Sequence, residues 1–497
     1  MGYILAFDAG TTALKGALLE NGRVCVQEYS VPATTIYDGA YKEQDPNLWY
    51  SGFCEISRRF FASGVRPESV EAIVLSGQMQ DVIAVDSSLH PVGNAILYSD
   101  GRADKQAAEI KNILGENEII STTGNAFNGS IPLSKLLWIK QHEPARYSRI
   151  HKILISSKDY IITRLTGSFV TDVTSASTSG MMNIRTKEWK KTYLEAIGLN
   201  QDLLPDLKYP DELAGTVTHE AAKESGCLIG TPVFAGVGDA GATTLASGIS
   251  CLGEYNINLG TSGWVATLSG DTLACEGVFN LAAVQRDLYI NVVPFLNAGN
   301  VHKWIVSLLS PEEHADYSHI DHLLAKSQAG SNGVLFLPYI SGERFPVMDN
   351  TIKGGFYGIT PETSKSDIAR SALEGVAFSI RQGIENIGKQ PTNVSLIGGG
   401  AKTPVWGQIF ADVLGSPVSV YEKSAYLPAM ALASCALVAQ GKLSDYQQFI
   451  AELKQSTGYI QYLPEKANIA LYNELYNEHR KLYPALKQIY RCSLTPD

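Results

Sequence analysis

Three short stretches set ligand-holding side chains against bare backbone. Asp8-Ala-Gly-Thr-Thr12 ends an apolar run on a carboxylate, then offers Gly10 and the hydroxyls of Thr11 and Thr12. Asn258-Leu-Gly-Thr-Ser262 repeats the pattern about half a chain later, with an amide in place of the acid and Gly260, Thr261 and Ser262 in step. Between them, Gly236-Val-Gly-Asp-Ala-Gly-Ala242 sets Asp239 among glycines at the end of another apolar run. N–H groups and hydroxyls bunched in a glycine turn are anion ligands, and glycine lets the backbone come close. Two such turns facing each other across a cleft would hold a polyphosphate from both sides. One magnesium ion needs only one or two carboxylates, with waters and phosphate oxygens supplying the rest. Asp8 is therefore the candidate for the metal side, through water, and a solvated hairpin acid is its plainer reading. Asp239 lies where the first half of the chain hands over to the second. There it can take a proton from a hydroxyl that attacks phosphorus; capping the helix that starts beside it is the alternative.

The elements that must position these groups are legible in outline. Tyr3–Phe7, Lys15–Glu20 and Val24–Tyr29 read as strands, with Glu20-Asn-Gly-Arg23 as a hairpin turn. Asp45 caps a helix with Pro46 in its first turn. Val70–Ser76 and Val82–Asp86 are further strands, and Ser134–Gln141, Lys158–Leu165 and Lys187–Ala196 read as helices. Asn393–Ile397, Gly398-Gly-Gly and Trp406–Leu414 form a strand, a bare turn and a helix. The triple glycine suits either a flat ligand or a tight turn. The tyrosine-rich tail from Tyr459 to Tyr490 reads as an amphipathic helix that packs on the core. His314, His319 and His322 match no strong ligand spacing and sit in a polar segment, which reads as solvated surface. Strands mixed with helices, and a strand-and-turn unit that recurs at mid-chain, predict an α/β protein of two related domains, 1–245 and 246–497, with the last helices free to pack back on the first.

Bulk properties narrow the partners. A net charge of −10 argues against a general nucleic-acid surface. Seven scattered cysteines without a Cys-x-x-Cys pair argue against a disulfide framework or a zinc ribbon, and for a reducing cytoplasm. No basic leader precedes an apolar stretch, and no run approaches about 18 apolar residues, so neither secretion nor a membrane span is expected.

The longer motifs resemble the FGGY carbohydrate kinases from Asp8 to about Gly441. Ser130-Ile-Pro-Leu-Ser-Lys-Leu-Leu-Trp-Ile-Lys-Gln-His142 fits the family's first signature. Gly354-Gly-Phe-Tyr-Gly-Ile359 with Asp367-Ile-Ala-Arg-Ser-Ala-Leu-Glu374 fits the second. Phe336–Arg344 and Gly398–Trp406 also look like family segments. The resemblance implies two actin-like, ribonuclease H-like domains with mixed sheets around a central cleft, in which ATP phosphorylates a sugar with Mg2+; dimers are common among such proteins. It implies Asp8 near the metal, and Gly10, Thr11, Thr12, Lys15, Gly260, Thr261 and Ser262 near the nucleotide's phosphates. Gly299, Gly399, Gly400 and Ala401 would lie near the nucleoside, and Asp239 would be the base. Gln78, Met79, Gln80, Asp100 and Asp239 would surround the sugar. Within the family the motifs look most like those of xylulokinases, which makes D-xylulose the leading substrate. Two departures fall at the sugar: Gln78-Met-Gln-Asp81 where Gln-Met-His-Gly is usual, and Gly238-Asp-Ala-Gly241 where Gly-Asp-Asn-Ala is usual. Tyr98 also stands where tryptophan is common, and Leu427-Pro-Ala-Met430 where a Gly-Ala-Ala run is usual. Lost hydrogen bonds to a hydroxyl change preference by large factors, so another ketopentose, a polyol such as erythritol, or gluconate stays open. An actin-like ATPase without a sugar substrate is the rival of a different class.

Overall fold

Tyr3–Ala9 is apolar on both faces, as only a strand inside a covered sheet can be. A computed structural model describes residues 2–39, 41–310, 317–388, 390–421 and 427–492. In it Tyr3–Ala9 is the centre of a mixed sheet. Ala13–Glu20 and then Val24–Pro32 lie antiparallel on one side, and Val70–Gly77 and then Pro232–Phe234 lie parallel on the other. The turn between the two antiparallel hairpin strands takes positive φ at Asn21 and Gly22, the residues best able to adopt it.

The second half repeats this order strand for strand. Glu254–Leu259 is central, flanked by antiparallel Gly263–Ser269 and Tyr289–Phe295 and by parallel Asn393–Ile397 and Val418–Tyr421. Asp8 pairs with Lys15 and Ser76, and its counterpart Asn258 pairs with Trp264 and Ile397, the second turn being one residue shorter than the first. The chain is thus built from two ribonuclease H-like domains of the actin-like type. Each strand-turn-strand unit leaves its glycine turn at the end of a buried parallel pair.

Each sheet has its own core. Phe7, Phe53 and Phe60 centre the first, with helix Pro46–Ala62 across it, its N-terminus capped by Asp45 onto the Asn47 N–H at 2.9 Å. Trp406, Phe378 and Leu373 centre the second. The junction is made by two helices. Asp239–Ala246 leaves the first sheet, and Leu427–Ala439, late in the chain, returns to cover Ile4, Ala6, Ala72 and Val74. Tyr446–Ser456 follows it onto that cluster, whereas Lys466–Cys492 stays on the second domain, with Tyr472 and Tyr476 buried there. The domains also join through buried polar contacts. Asn125 donates to the Asn280 carbonyl at 2.8 Å and accepts from its N–H at 2.7 Å, and the Thr174 hydroxyl donates to the Ala282 carbonyl at 2.7 Å.

The structure differs from three sequence expectations. The helix read over Lys187–Ala196 starts only at Lys191. Lys187 sits in a turn with positive φ, and Glu188–Trp189 pairs with Met182–Asn183. Tyr459–Tyr462 is not helix; it extends the second sheet beside Val418–Tyr421, and the tail helix begins at Lys466. The strand at Val82–Asp86 shortens to Ile83–Val85. His314 lies outside the described residues, and His319 and His322 lie on helix Tyr317–Lys326. Among the described residues no group of three His, Cys, Asp or Glu side chains could hold a metal ion.

Leu432 is buried in the shared cluster between the returning helix and the first sheet. Leu432→Ala is expected to cost about 2–5 kcal/mol, as cavities in well-packed cores do, read as a lower urea midpoint in equilibrium unfolding. An unchanged midpoint would mean that the returning helix does not tie the two domains together.

Candidate active site

The first turn is held from behind. The Gly10 N–H donates to the Ala13 carbonyl at 3.1 Å, the Thr11 hydroxyl donates to Gln78 Oε1 at 2.7 Å, and Gln44 Nε2 donates to the Thr11 carbonyl at 2.8 Å. The second turn is anchored through its carbonyls: Gly260 accepts from the Gly299 N–H at 2.8 Å and Thr261 from the Asn300 N–H at 2.9 Å. The hydroxyls of Thr12, Thr261 and Ser262 are exposed and have no protein partner among the described residues. A Cβ on Gly299 would stand 2.3 Å from the Gly260 carbonyl oxygen, so only glycine lets this helix start so close to the turn.

Two cavities flank the turns. One of about 640 Å³ is lined by Gly260, Thr261, Gly299, Gly399, Gly400 and His302, with Lys303, Tyr317, Asp321 and Thr403 further along its wall. Ala401, assigned to the same ligand from sequence, is buried in the second core instead and does not line it. The other cavity, about 390 Å³, is lined from the first domain by Thr11, Gln78, Met79, Gln80, Asp239 and Ala240. Trp264, Phe279, Val292, Pro294 and Arg344 close it from the second. Lys15 opens on neither. With Asp8 and Glu28 it borders a hollow of about 180 Å³ beside Pro428.

Asp100 stands apart from the residues around Asp239. It is fully buried, and its carboxylate accepts from the Arg102 guanidinium at 2.7 and 3.0 Å and from the backbone N–H groups of Lys42 and Arg102. Those bonds and the ion pair hold its pKa below the usual carboxylate range despite burial. With its oxygens taken, it is not among the residues that line the cavity, and its visible work is to fix the segment that carries Tyr98.

Asp239 is the first residue of its helix, not its cap; Gly238 takes the cap position. Its carboxylate reaches the cleft, yet the protein packed around it removes enough water to push its pKa up to about 7. The Asp8 carboxylate is the second cause and Asp172 a smaller one, while the Ala240 N–H at 2.8 Å works the other way. Asp8 is itself raised by burial, opposed by the Ser76 hydroxyl at 2.7 Å and by Lys15.

Behind Asp239 lies a buried ion cluster of Lys158, Asp159 and Asp172, the last of which no residue spacing brings to the others. Lys158 Nζ sits 2.6 Å from Asp159 and 2.9 Å from Asp172, all three fully buried. Asp172 also accepts from the N–H groups of Thr174 and Ser175 and, at 3.4 Å, from Gly238, the residue before Asp239. A second buried pair underlies the cavity floor. Burial pushes Asp81 up and Lys135 down, and each partner opposes the other's shift. Lys135 donates to the carbonyls of Gln80 and Leu97, and so holds Gln80 in its left-handed conformation at φ 67°. The Gln80 amide donates to the Ser130 hydroxyl at 2.9 Å.

Sequence reasoning did not single out Arg344, Trp264, Phe279 or His302 as cleft-lining residues. The signals were present but faint. Trp264 follows the second turn directly, and His302 lies one helical turn beyond Gly299.

Comparison with known proteins agrees with the geometry. A family model described as the FGGY family of carbohydrate kinases, N-terminal domain, matches residues 3–246, and that family's C-terminal domain matches residues 255–437. A xylulose kinase of Staphylococcus xylosus is 28% identical over 97% of this chain and 100% of its own. A gluconokinase of Bacillus subtilis is 29% identical over 89% of each. The crystal structure of a ligand-bound xylulose kinase from Lactobacillus acidophilus superposes with a TM-score of 0.88 at 27% identity, covering 99% of both chains.

The pKa of Asp239 makes a pH profile the natural probe. If Asp239 serves as a base it must be ionised, and kcat/KM is then expected to fall as pH drops through about 7. Asp172→Asn removes a negative charge that favours the protonated form, so its acid limb is expected at lower pH. A variant that only slackened the loop would lose rate at every pH and leave the limb in place.

Proposed function

The chain belongs to the FGGY family of carbohydrate kinases, an ATP-dependent sugar kinase by that membership, and from this premise we propose that it phosphorylates the terminal hydroxyl of an open-chain ketose, with D-xylulose the first candidate. One observation carries the reading: a single cavity joins Asp239, the first phosphate turn through Thr11, and the glutamines Gln78 and Gln80. The similarity to xylulose kinases over nearly the whole chain supports the choice of sugar.

In this reading the nucleoside of ATP lies in the larger cavity against Gly299, Gly399 and Gly400, and its phosphates run between the two turns. The N–H groups of the turns and the hydroxyls of Thr12, Thr261 and Ser262 hold the phosphate oxygens. The sugar lies in the smaller cavity with its terminal hydroxyl on Asp239. Asp239 accepts that proton as the oxygen attacks the γ-phosphorus in line; the new O–P bond forms as the bond to the ADP oxygen breaks. Asp8 and Asp239 disfavour each other's charge, and Asp8 keeps one carboxylate oxygen clear of Ser76. That donor set fits a magnesium ion which takes most of its ligands from water and phosphate, and such an ion neutralises charge on the transferring group. Closure of the domains about residues 240–250 would exclude water, which otherwise competes for the phosphoryl group. A reducing cytoplasm suits Cys25, Cys54, Cys227, Cys251, Cys275 and Cys435, which are all free thiols.

A second reading rests on Arg344. Its guanidinium is exposed at the cavity wall and has no acid partner among the described residues. A cation there suits the carboxylate of a sugar acid such as gluconate, in line with the similarity to a gluconokinase.

ADP release is the direct test. D-xylulose is expected to stimulate it well above ATP alone and above gluconate, and Asp239→Asn is expected to lower kcat about a hundredfold or more while the KM for ATP changes little. Stimulation by gluconate alone would favour the second reading. ATP hydrolysis indifferent to every added sugar would make the chain an actin-like ATPase, and near-normal turnover by Asp239→Asn would remove the base.

A further inference from the structure

Trp264 carries a hydrogen that the protein leaves unpaired. Its indole Nε1 is buried and has no acceptor among the described residues, and its side chain lines the cavity over Asp239. Strand pairing puts it there, with Asn258 beside it on one strand and Pro294 on the other. An indole nitrogen only donates, and buried donors are nearly always paired. The apolar neighbours on that wall, Phe279, Leu281, Val292 and Pro294, offer no side-chain acceptor. Arg344 is the wall's other polar side chain, and a guanidinium also only donates. The second domain thus turns donors toward the cavity and no side-chain acceptor.

The first-domain wall is the reverse. The carbonyl and hydroxyl of Ser130 accept from Gln80 Nε2 at 3.2 and 2.9 Å, so the Gln80 amide oxygen turns away from Ser130. Gln44 Nε2 spends its hydrogens on the Thr11 carbonyl and the Thr35 hydroxyl, at 2.8 and 2.9 Å, which leaves Gln44 Oε1 to accept from Gln78 Nε2 at 3.2 Å. The other amide hydrogen of Gln78 goes to Asp81, and its Oε1 takes the Thr11 hydroxyl hydrogen at 2.7 Å. The Thr178 hydroxyl gives its hydrogen to the Ser175 carbonyl at 2.8 Å. Together with the Asp239 carboxylate, these side chains have only oxygen lone pairs left to offer. Tyr98, which is exposed, is the lining side chain there that keeps a hydrogen.

Walls of opposite character orient a substrate. Hydroxyl hydrogens find acceptors on the first domain, the reacting one on Asp239. A carbonyl oxygen can only accept, and lone pairs set against lone pairs repel. Its place is the second-domain wall. Resting on the kinase reading above, we propose that Trp264 is a specificity-determining residue whose indole N–H donates to the carbonyl oxygen of an open-chain ketose. The sugar then engages both domains, through its hydroxyls on the first and its oxo group on the second, with Arg344 as the further donor of that wall.

A cycle of two ligands and two proteins tests this, read as kcat/KM for ADP release by the intact enzyme. The ligands are D-xylulose and 2-deoxy-D-threo-pentitol, the same chain with CH2 in place of the carbonyl. Wild-type enzyme is expected to prefer the ketose at least about tenfold, because the analogue leaves a buried donor unpaired. Trp264→Phe keeps an aromatic ring and loses the N–H, and the preference is expected to shrink several-fold. A ring that only packs would slow both ligands alike and leave the ratio where it was. That result overturns the inference and spares the kinase reading, as does a wild-type enzyme that handles the two ligands equally. The ratio is taken within one protein, so partial loss of folded enzyme does not disturb it. Dissociation constants of the two ligands give the same ratio if Trp264→Phe turns over too slowly to follow. If D-xylulose does not raise ADP release above ATP alone, the ketose reading falls and the inference with it.

Discussion

Asp239, at the head of the junction helix, opens on the cleft, and Asp8, at the end of the first strand, borders a neighbouring hollow close enough for each negative charge to oppose the other. Loss of water around Asp239, with that repulsion second, brings its pKa to about 7. A carboxylate with an ordinary pKa would be ionised but a poor proton acceptor. One poised near neutrality can be ionised and still take a proton. The same repulsion makes the space between the two acids welcoming to a cation and to the phosphates that accompany it. The site's chemistry therefore depends on holding two like charges close, which a protein does only with a stiff frame behind them.

The frame is the duplicated sheet. In each domain a parallel strand pair, buried on both faces, fixes the strand that ends in a glycine turn, so both turns emerge from the least deformable part of their sheets. The helix that carries Asp239 starts where the Lys158, Asp159 and Asp172 cluster grips the backbone at Gly238. A buried ion cluster of this kind is a poor source of net stability. Here it holds the backbone at Gly238, one residue from Asp239. The returning helix Leu427–Ala439 then ties the far end of the chain to the first sheet, so the cleft is bounded by elements that share one hydrophobic cluster.

Much of this was legible in the sequence because its signals are local. A glycine and two hydroxyls after an apolar run mark a turn with free N–H and hydroxyl groups at a strand end. Their recurrence at Asn258 predicted the second domain, and Asp8 and Asn258 do sit at the second-last position of equivalent central strands, although the second turn is one residue shorter. What escaped depends on distant partners. Tyr459–Tyr462 looks like the start of an amphipathic tail helix, and only the free edge at Val418–Tyr421 makes it a strand. Lys187 opens an apparently helical run, but its turn lets Glu188–Trp189 pair with Met182–Asn183. Asp159 is the chain neighbour of Lys158, but Asp172 and, for Lys135, Asp81 lie on separate segments that no spacing rule brings together. Trp264, Phe279 and Val292 escaped for the same reason: they share a face only after three strands have taken register.

The central claim is that Asp239 acts as a base, and not as a nucleophile, in one in-line transfer between the two turns. The configuration at phosphorus reports this directly. Transfer from ATP whose γ-phosphorus is made chiral with sulfur and oxygen isotopes is predicted to give a sugar phosphate of inverted configuration. Retention would require two displacements through a phosphorylated carboxylate and would contradict the account.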